Sequence, residues 1–182
     1  MLQAIDMGKV AKIGAFLAAF LVISMIHEGL HAATAMMYGE YNYFIIHPYG
    51  FEVVFVTPVE LRAGFMWFII SGVSNIMTPL LGYVLLYFTL RFKDLRGFMG
   101  ASVYWLTLLL LIADPLNLFI GPFLYGGDAV GMAVGLEVPV LVIQGVGLIV
   151  FLVNRELVAT KLLPAYGVEP KHPLFVPWFI RS

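Results

Sequence analysis

The sequence predicts an all-α polytopic membrane protein with about four membrane-crossing helices and a small β-hairpin between the first and the second. Three observations lead there. The chain of 182 residues is 62% hydrophobic and only 12% charged, with a mean hydropathy of +0.96. A soluble domain is nearer half apolar and a quarter charged. The apolar residues fall into stretches at or near the roughly 20 residues that a helix needs to cross a bilayer. Between the first two stretches lies one sizeable loop, rich in aromatic and β-branched residues on either side of a turn. The length fits a single domain.

In chain order, the first span covers 13–38. Lys9 and Lys12 ahead of it, and Ala33-Thr34-Ala35 near its end, resemble the flanks of a signal peptide. His27, Glu28 and His31 interrupt the apolar run as the core of a signal peptide would not, so a retained membrane helix is expected. Residues 39–62 form the hairpin loop, with strands over 41–46 and 51–57 and His47-Pro48-Tyr49-Gly50 as the turn. The second span covers 63–90 and the third 97–119. Residues 121–137 are apolar but glycine-rich, and Pro122 and Gly126-Gly127 oppose a continuous helix. Irregular backbone at membrane depth survives only where protein or a wet cavity covers it. A re-entrant loop is therefore expected, followed by a short helix starting near Asp128. The fourth span covers 138–153. In the tail, 154–182, Pro164, Pro170, Pro173 and Pro177 discourage long helix, and Trp178 and Phe179 suit the membrane interface.

Charge placement sets an expected orientation. With four spans, Lys9, Lys12, Arg91, Lys93, Arg96, Arg155, Lys161, Lys171 and Arg181 fall on one side and only Arg62 on the other. The positive-inside rule puts both termini and the 91–97 loop in the cytoplasm. Cys is absent, which excludes disulfides, thiolate ligands and Cys nucleophiles. A net charge of -1 with no Lys/Arg run gives no footprint for nucleic acid.

The first span contains His27-Glu28-Gly29-Leu30-His31, an H-E-x-x-H motif. On a helix, residues four apart lie one above the other on the same face. Two imidazoles so placed can take two corners of a zinc tetrahedron. Glu28, beside the first of them, can then reach a water held by the metal and act as general base and later as proton donor to the leaving amine. With four His and seven Glu in the chain, chance placement yields only about 0.003 such motifs. Ionisable groups in the middle of a lipid-spanning helix are costly, and a metal offsets that cost. His27 lies roughly 20 Å beyond Lys12 and His31 about 10 Å short of Tyr38 at the helical rise, so the metal is expected inside the hydrocarbon, nearer the hairpin.

A third protein ligand is required. His47 in the turn and His172 in the tail read as surface histidines. Three acidic residues remain near membrane depth: Asp114 late in the third span, Asp128 after Gly126-Gly127, and Glu137 at the foot of the fourth. Asp128 is favoured because glycines permit close backbone approach and a helix N-terminus favours an anion. Asp114 stays open as the alternative ligand, or else as a cap or a hydrogen bond across helices.

Three segments together resemble the site-2 protease family of intramembrane zinc metalloproteases, especially its small zincin-like branch. They are His27-Glu28-Gly29-Leu30-His31 followed by Ala32, Ala33 and Ala35; Ser71-Gly72-Val73-Ser74-Asn75, with Val73 where the family has proline; and Asn117-Leu118-Phe119-Ile120-Gly121-Pro122 followed by Gly126-Gly127-Asp128. In the family the last segment supplies the third zinc ligand, in the order Asp then Gly. The likeness spans residues 13–137. It implies cleavage within a substrate's transmembrane segment, and Asn75 or Asn117 binding substrate backbone or the oxyanion. Family members usually hold the catalytic centre toward the cytosol, whereas the charge count puts the hairpin outside.

The expectation is therefore a multi-pass zinc metalloendopeptidase with one zinc ion per chain. His27, His31 and Asp128 would be the ligands, Glu28 the catalytic residue, and Asn75, Asn117 and Ser74 would line the cleft. A transmembrane protein or peptide would be its substrate and the lipid bilayer its surroundings. An exposed strand edge, over 51–56, could hold an unwound substrate by β-augmentation. The alternative is a metal-binding membrane protein without proteolysis, a transporter or sensor, which would space acidic and His residues along a path through the spans.

Overall fold

The computed structural model describes residues 8–48, 50–91, 97–170 and 172–179. Tyr49 of the expected turn, and Lys93, Arg96, Lys171 and Arg181 of the charge count, lie outside the described residues. Helix α1 (Lys9–Met37) leads into the hairpin, β1 (Tyr41–His47) and β2 (Gly50–Phe55). Helices α2 (Phe65–Arg91), α3 (Gly97–Leu124), α4 (Gly127–Leu136) and α5 (Val140–Leu157) follow.

Among the described residues, four helices are long and apolar enough to cross a membrane: Val10–Met37, Phe65–Arg91, Gly97–Leu124 and Val140–Ala165. Leu17, Leu21, Leu80, Leu141 and Ile149 face outward on them. Ser71, Ser74, Asn75, Thr78, Thr107 and Asn154 are buried between them. Apolar outside and polar inside is the pattern of a helical bundle whose solvent is lipid. This is a multi-pass membrane protein.

Two helices run further than their prolines suggest. α3 continues through Pro115 and Pro122 to Leu124 rather than stopping at 119. Pro115 has no N–H for the carbonyl of Leu111, one turn earlier. Asn154 Nδ2 donates to that carbonyl at 2.7 Å, and Asn154 Oδ1 accepts from the Tyr83 hydroxyl at 2.6 Å. One buried amide thus repairs the gap and joins α2, α3 and α5. The fourth span likewise continues beyond 153, through a π-helical turn (Val158–Leu162) into α6 (Leu163–Ala165). There the Leu163 N–H reaches back to Val158 O. The widened turn immediately before Pro164 makes room for a ring that would clash in a regular helix. Residues 172–179 of the tail fold back on the helix end. Arg155 donates to the carbonyls of Leu174 at 2.6 Å and Pro173 at 3.2 Å, and its guanidinium lies 4.0 Å from the Trp178 ring centroid.

The hairpin is antiparallel, with Phe44 opposite Val53 and Ile46 opposite Phe51. Glu40 closes its base, accepting from Thr57 N and Thr57 Oγ1, both at 3.0 Å. Arg62 donates to Thr57 O at 3.2 Å and lies over the rings of Phe55 and Trp67. Partial burial lowers the Arg62 guanidinium from its usual value, and Glu40 and Glu60 oppose the shift. Trp67, Ile70 and Ala35 form a small core with Tyr41, Phe55 and Met66. These contacts pin the hairpin over α1 and α2, with β2 against α1.

α4 lies very close to α2. A Cβ at Gly135 would collide with the backbone of Phe68, and one at Gly131 with Ser71 Oγ. Gly126 and Gly127 both have positive φ, 87° and 63°, a conformation L side chains avoid. They turn the chain back into the bundle immediately before Asp128.

Candidate functional site

His27 and His31 sit one turn apart on α1, on the face that also buries Ala19, Ile23 and Ala35. α2 supplies the opposite wall. Ser71, Ser74, Asn75 and Thr78 fall at helical spacing and are all buried. Ser74 Oγ donates to His27 O at 2.5 Å, which ties the two helices together at the motif. α4 brings Asp128, in its first turn, from the third side.

The three groups converge. His27 Nε2 is 3.1 Å from His31 Nε2 and 3.2 Å from Asp128 Oδ2, and His31 Nε2 is 3.3 Å from the same oxygen. Among the described residues, these three form the one group of His, Asp or Glu that could hold a metal ion.

Tautomers decide what those atoms offer. His31 Nδ1 is 2.7 Å from Ile70 O. A carbonyl only accepts, so Nδ1 carries the proton and a neutral ring leaves a lone pair at Nε2. His27 Nδ1 lies 3.0 Å from Asp114 Oδ1. This is a close electrostatic contact rather than an aligned hydrogen bond, and it too favours the proton on Nδ1. Both Nε2 atoms and a carboxylate oxygen thus point lone pairs at one another, an arrangement that repels unless a cation lies among them. Zinc bonds of about 2.0–2.1 Å in a tetrahedron place neighbouring ligand atoms about 3.3 Å apart. The observed triangle has that size, and the donor set fits a divalent cation.

The surrounding groups hold this geometry. Asp114 sits on the far side of the His27 ring from the cluster, and its other oxygen accepts from Thr78 Oγ1. Of the two candidate carboxylates, Asp128 therefore stands with the two Nε2 atoms, while Asp114 stands behind His27 as an outer support. Asn75 Nδ2 donates to Asp128 Oδ2 at 2.9 Å and to Ser71 O at 3.0 Å, and its buried Oδ1 has no partner among the described residues. One amide hydrogen of Asn75 orients Asp128, and the other ties the side chain to its own helix at Ser71. Asn117, nearly one turn beyond Asp114 on α3, accepts from the Tyr125 hydroxyl. Among the described residues no hydrogen bond joins Asn117 to the cluster.

Glu28 points from α1 toward the hairpin, where Oε2 accepts from Val53 N at 3.1 Å. Of the remaining expected residues, His47 pairs with Glu52 at 2.7 Å on the hairpin, His172 accepts from Leu174 N in the tail, and Glu137 ends α4 with a φ of 55°. Sequence reasoning missed Thr78, Tyr125, the Ile70 carbonyl and the Val53 N–H. The stripe at 71, 74, 75 and 78 was a legible signal for Thr78. Main-chain groups leave no such trace.

Fold and site together define a multi-pass helical membrane protein enclosing a His-His-Asp cluster between α1, α2 and α4. Compared with family models, curated proteins and solved structures, the chain finds no match.

Proposed function

We propose that this protein is a zinc-dependent intramembrane endopeptidase that hydrolyses a peptide bond in or near a substrate's transmembrane segment. The observation that carries the reading is the convergence of two imidazole nitrogens and a carboxylate oxygen at 3.1–3.3 Å, with Glu28 on the same helix next to His27. His27, His31 and Asp128 would hold the ion. Bound zinc supplies Lewis acidity toward water and a peptide carbonyl. Glu28 takes the proton of the attacking water as the new C–O bond forms, and returns it to the amine nitrogen as the C–N bond breaks. Asn75 keeps Asp128 in place, and the Ile70 carbonyl keeps the His31 ring in its ligating tautomer. Lys/Arg bias places both termini and the 91–97 loop on the cytoplasmic side.

The experiment is a Glu28→Gln variant reconstituted with a membrane-segment substrate. Zinc content stays near one per chain, and cleavage falls by about 10²–10⁴-fold, the range of a general base. Cleavage at the wild-type rate in that variant ends the peptidase reading. A purified wild-type protein without stoichiometric metal ends the zinc reading. A transporter or sensor would need several ligand groups along a path, and among the described residues there is one.

A further inference from the structure

Resting on that reading, a separate observation concerns how a substrate is aligned. The edge of a strand that pairs on one side only carries outward N–H and C=O groups at alternate residues. Among the described residues β2 pairs with β1 alone. Its outward direction is marked by Val53, whose N–H points away from β1 to Glu28 Oε2 at 3.1 Å. By alternation the N–H groups of Phe51 and Phe55 face the same way. The opposite alternation agrees, because Val56 N bonds inward to Glu40 O at 2.8 Å. The edge that an extended chain would use therefore faces the metal-ligating helix, and its central donor is already occupied by the carboxylate that the chemistry needs.

We propose that the Val53 N–H is the backbone donor that sets the register of an extended substrate, with Glu28 holding that donor until a substrate carbonyl replaces it. The exchange is one acceptor for another. The incoming carbonyl takes the N–H, and the released carboxylate swings free, still on the same turn of α1 as His27 and His31. Docking and base release become one event. Water entering the site without a docked strand meets a carboxylate held toward the hairpin by one of its two oxygens, Oε2. The bond that is cut lies at a constant offset from the carbonyl on Val53, so the strand and not the side-chain sequence of the substrate defines the position of cleavage. A helical segment cannot perform this exchange, because its carbonyls are already bonded within the helix.

Two arms test this on the full-length, reconstituted protein. The first follows hydrogen exchange at the Val53 amide and needs no activity. Glu28→Ala is expected to speed exchange there about tenfold, the loss of one charge-assisted hydrogen bond, and an added apolar, Val- and Thr-rich peptide is expected to slow it again. The second maps cleavage in Val53→Pro, which removes the N–H at that edge without taking a bond from the β1–β2 ladder, and replaces the valine side chain with a ring. With zinc still bound, cuts are expected to spread over neighbouring bonds where the wild type makes one. Exchange at Val53 that is indifferent to Glu28→Ala or to the peptide overturns the proposal, as does a single unshifted cut in Val53→Pro. If Val53→Pro loses zinc and does not fold, the exchange arm decides. If the wild type binds zinc and cuts nothing, the peptidase reading falls while the exchange arm still judges the edge donor.

Discussion

A proton at His31 Nδ1, directed at the Ile70 carbonyl 2.7 Å away, leaves the opposite nitrogen able only to accept. His27 is set the same way by Asp114. The two carboxylates near these rings therefore have different work: Asp128 lies among the Nε2 atoms and Asp114 behind one ring. Asp128→Asn is expected to abolish stoichiometric zinc binding, because an amide oxygen without charge is a poor third ligand. Asp114→Asn is expected to weaken zinc by about 10–100-fold, the usual cost of losing an outer partner, with little change in thermal stability. Metal titration of the two variants distinguishes them, and the reverse order of losses would make Asp114 the ligand.

At the scale of elements, two packing devices hold the site together. The first is the contact of α4 with α2, close enough that any Cβ at Gly135 meets the Phe68 backbone. Gly135→Leu should push α4 away, destabilise the fold by about 1–3 kcal/mol as overpacking does, and draw Asp128 from the cluster. Thermal unfolding in detergent and zinc stoichiometry should both fall. The second is Asn154, which is fully buried and serves the carbonyl orphaned by Pro115. Asn154→Ala leaves the Leu111 carbonyl and the Tyr83 hydroxyl without partners, at about 1–3 kcal/mol. Because Asn154 hydrogen-bonds Leu111 and Tyr83 and none of the cluster residues, the midpoint of unfolding should drop while zinc content in the folded protein holds. Equal stability of this variant and the wild type would show that the α3 gap is satisfied by other means.

For the whole molecule, one crossing by each of the four apolar helices among the described residues would put Gly8 and residues 172–179 on one face and the hairpin on the other. The natural chain has no Cys, so single cysteines report sidedness directly. A thiol reagent that does not cross membranes is expected to label Glu60→Cys from outside intact cells and Lys161→Cys only after permeabilisation. The opposite pattern would reverse the orientation, and labelling of both from one side would end the four-crossing topology.

Much of this was legible in one dimension, for physical reasons. Hydropathy is a property of composition, so the four crossings stand in the sequence. Helix geometry is local, so His27 and His31 on one face followed from their spacing, as the hairpin followed from two β-rich runs around a turn. The third span was expected to run through Pro115 and does, but proline misled at 122 and 164. What it removes locally is restored by a side chain from another helix at Leu111 and by a widened turn before Pro164, and the sequence around a proline does not report such repair. The choice between Asp128 and Asp114 was likewise tertiary. Both are acids near the same depth, and only the turn at Gly126-Gly127 and the glycine contact with α2 place one of them among the imidazole lone pairs. The hold of Val53 on Glu28 was also tertiary. It joins a main-chain donor of a strand to a helix side chain, and main-chain donors are the same at every residue until the fold aims them.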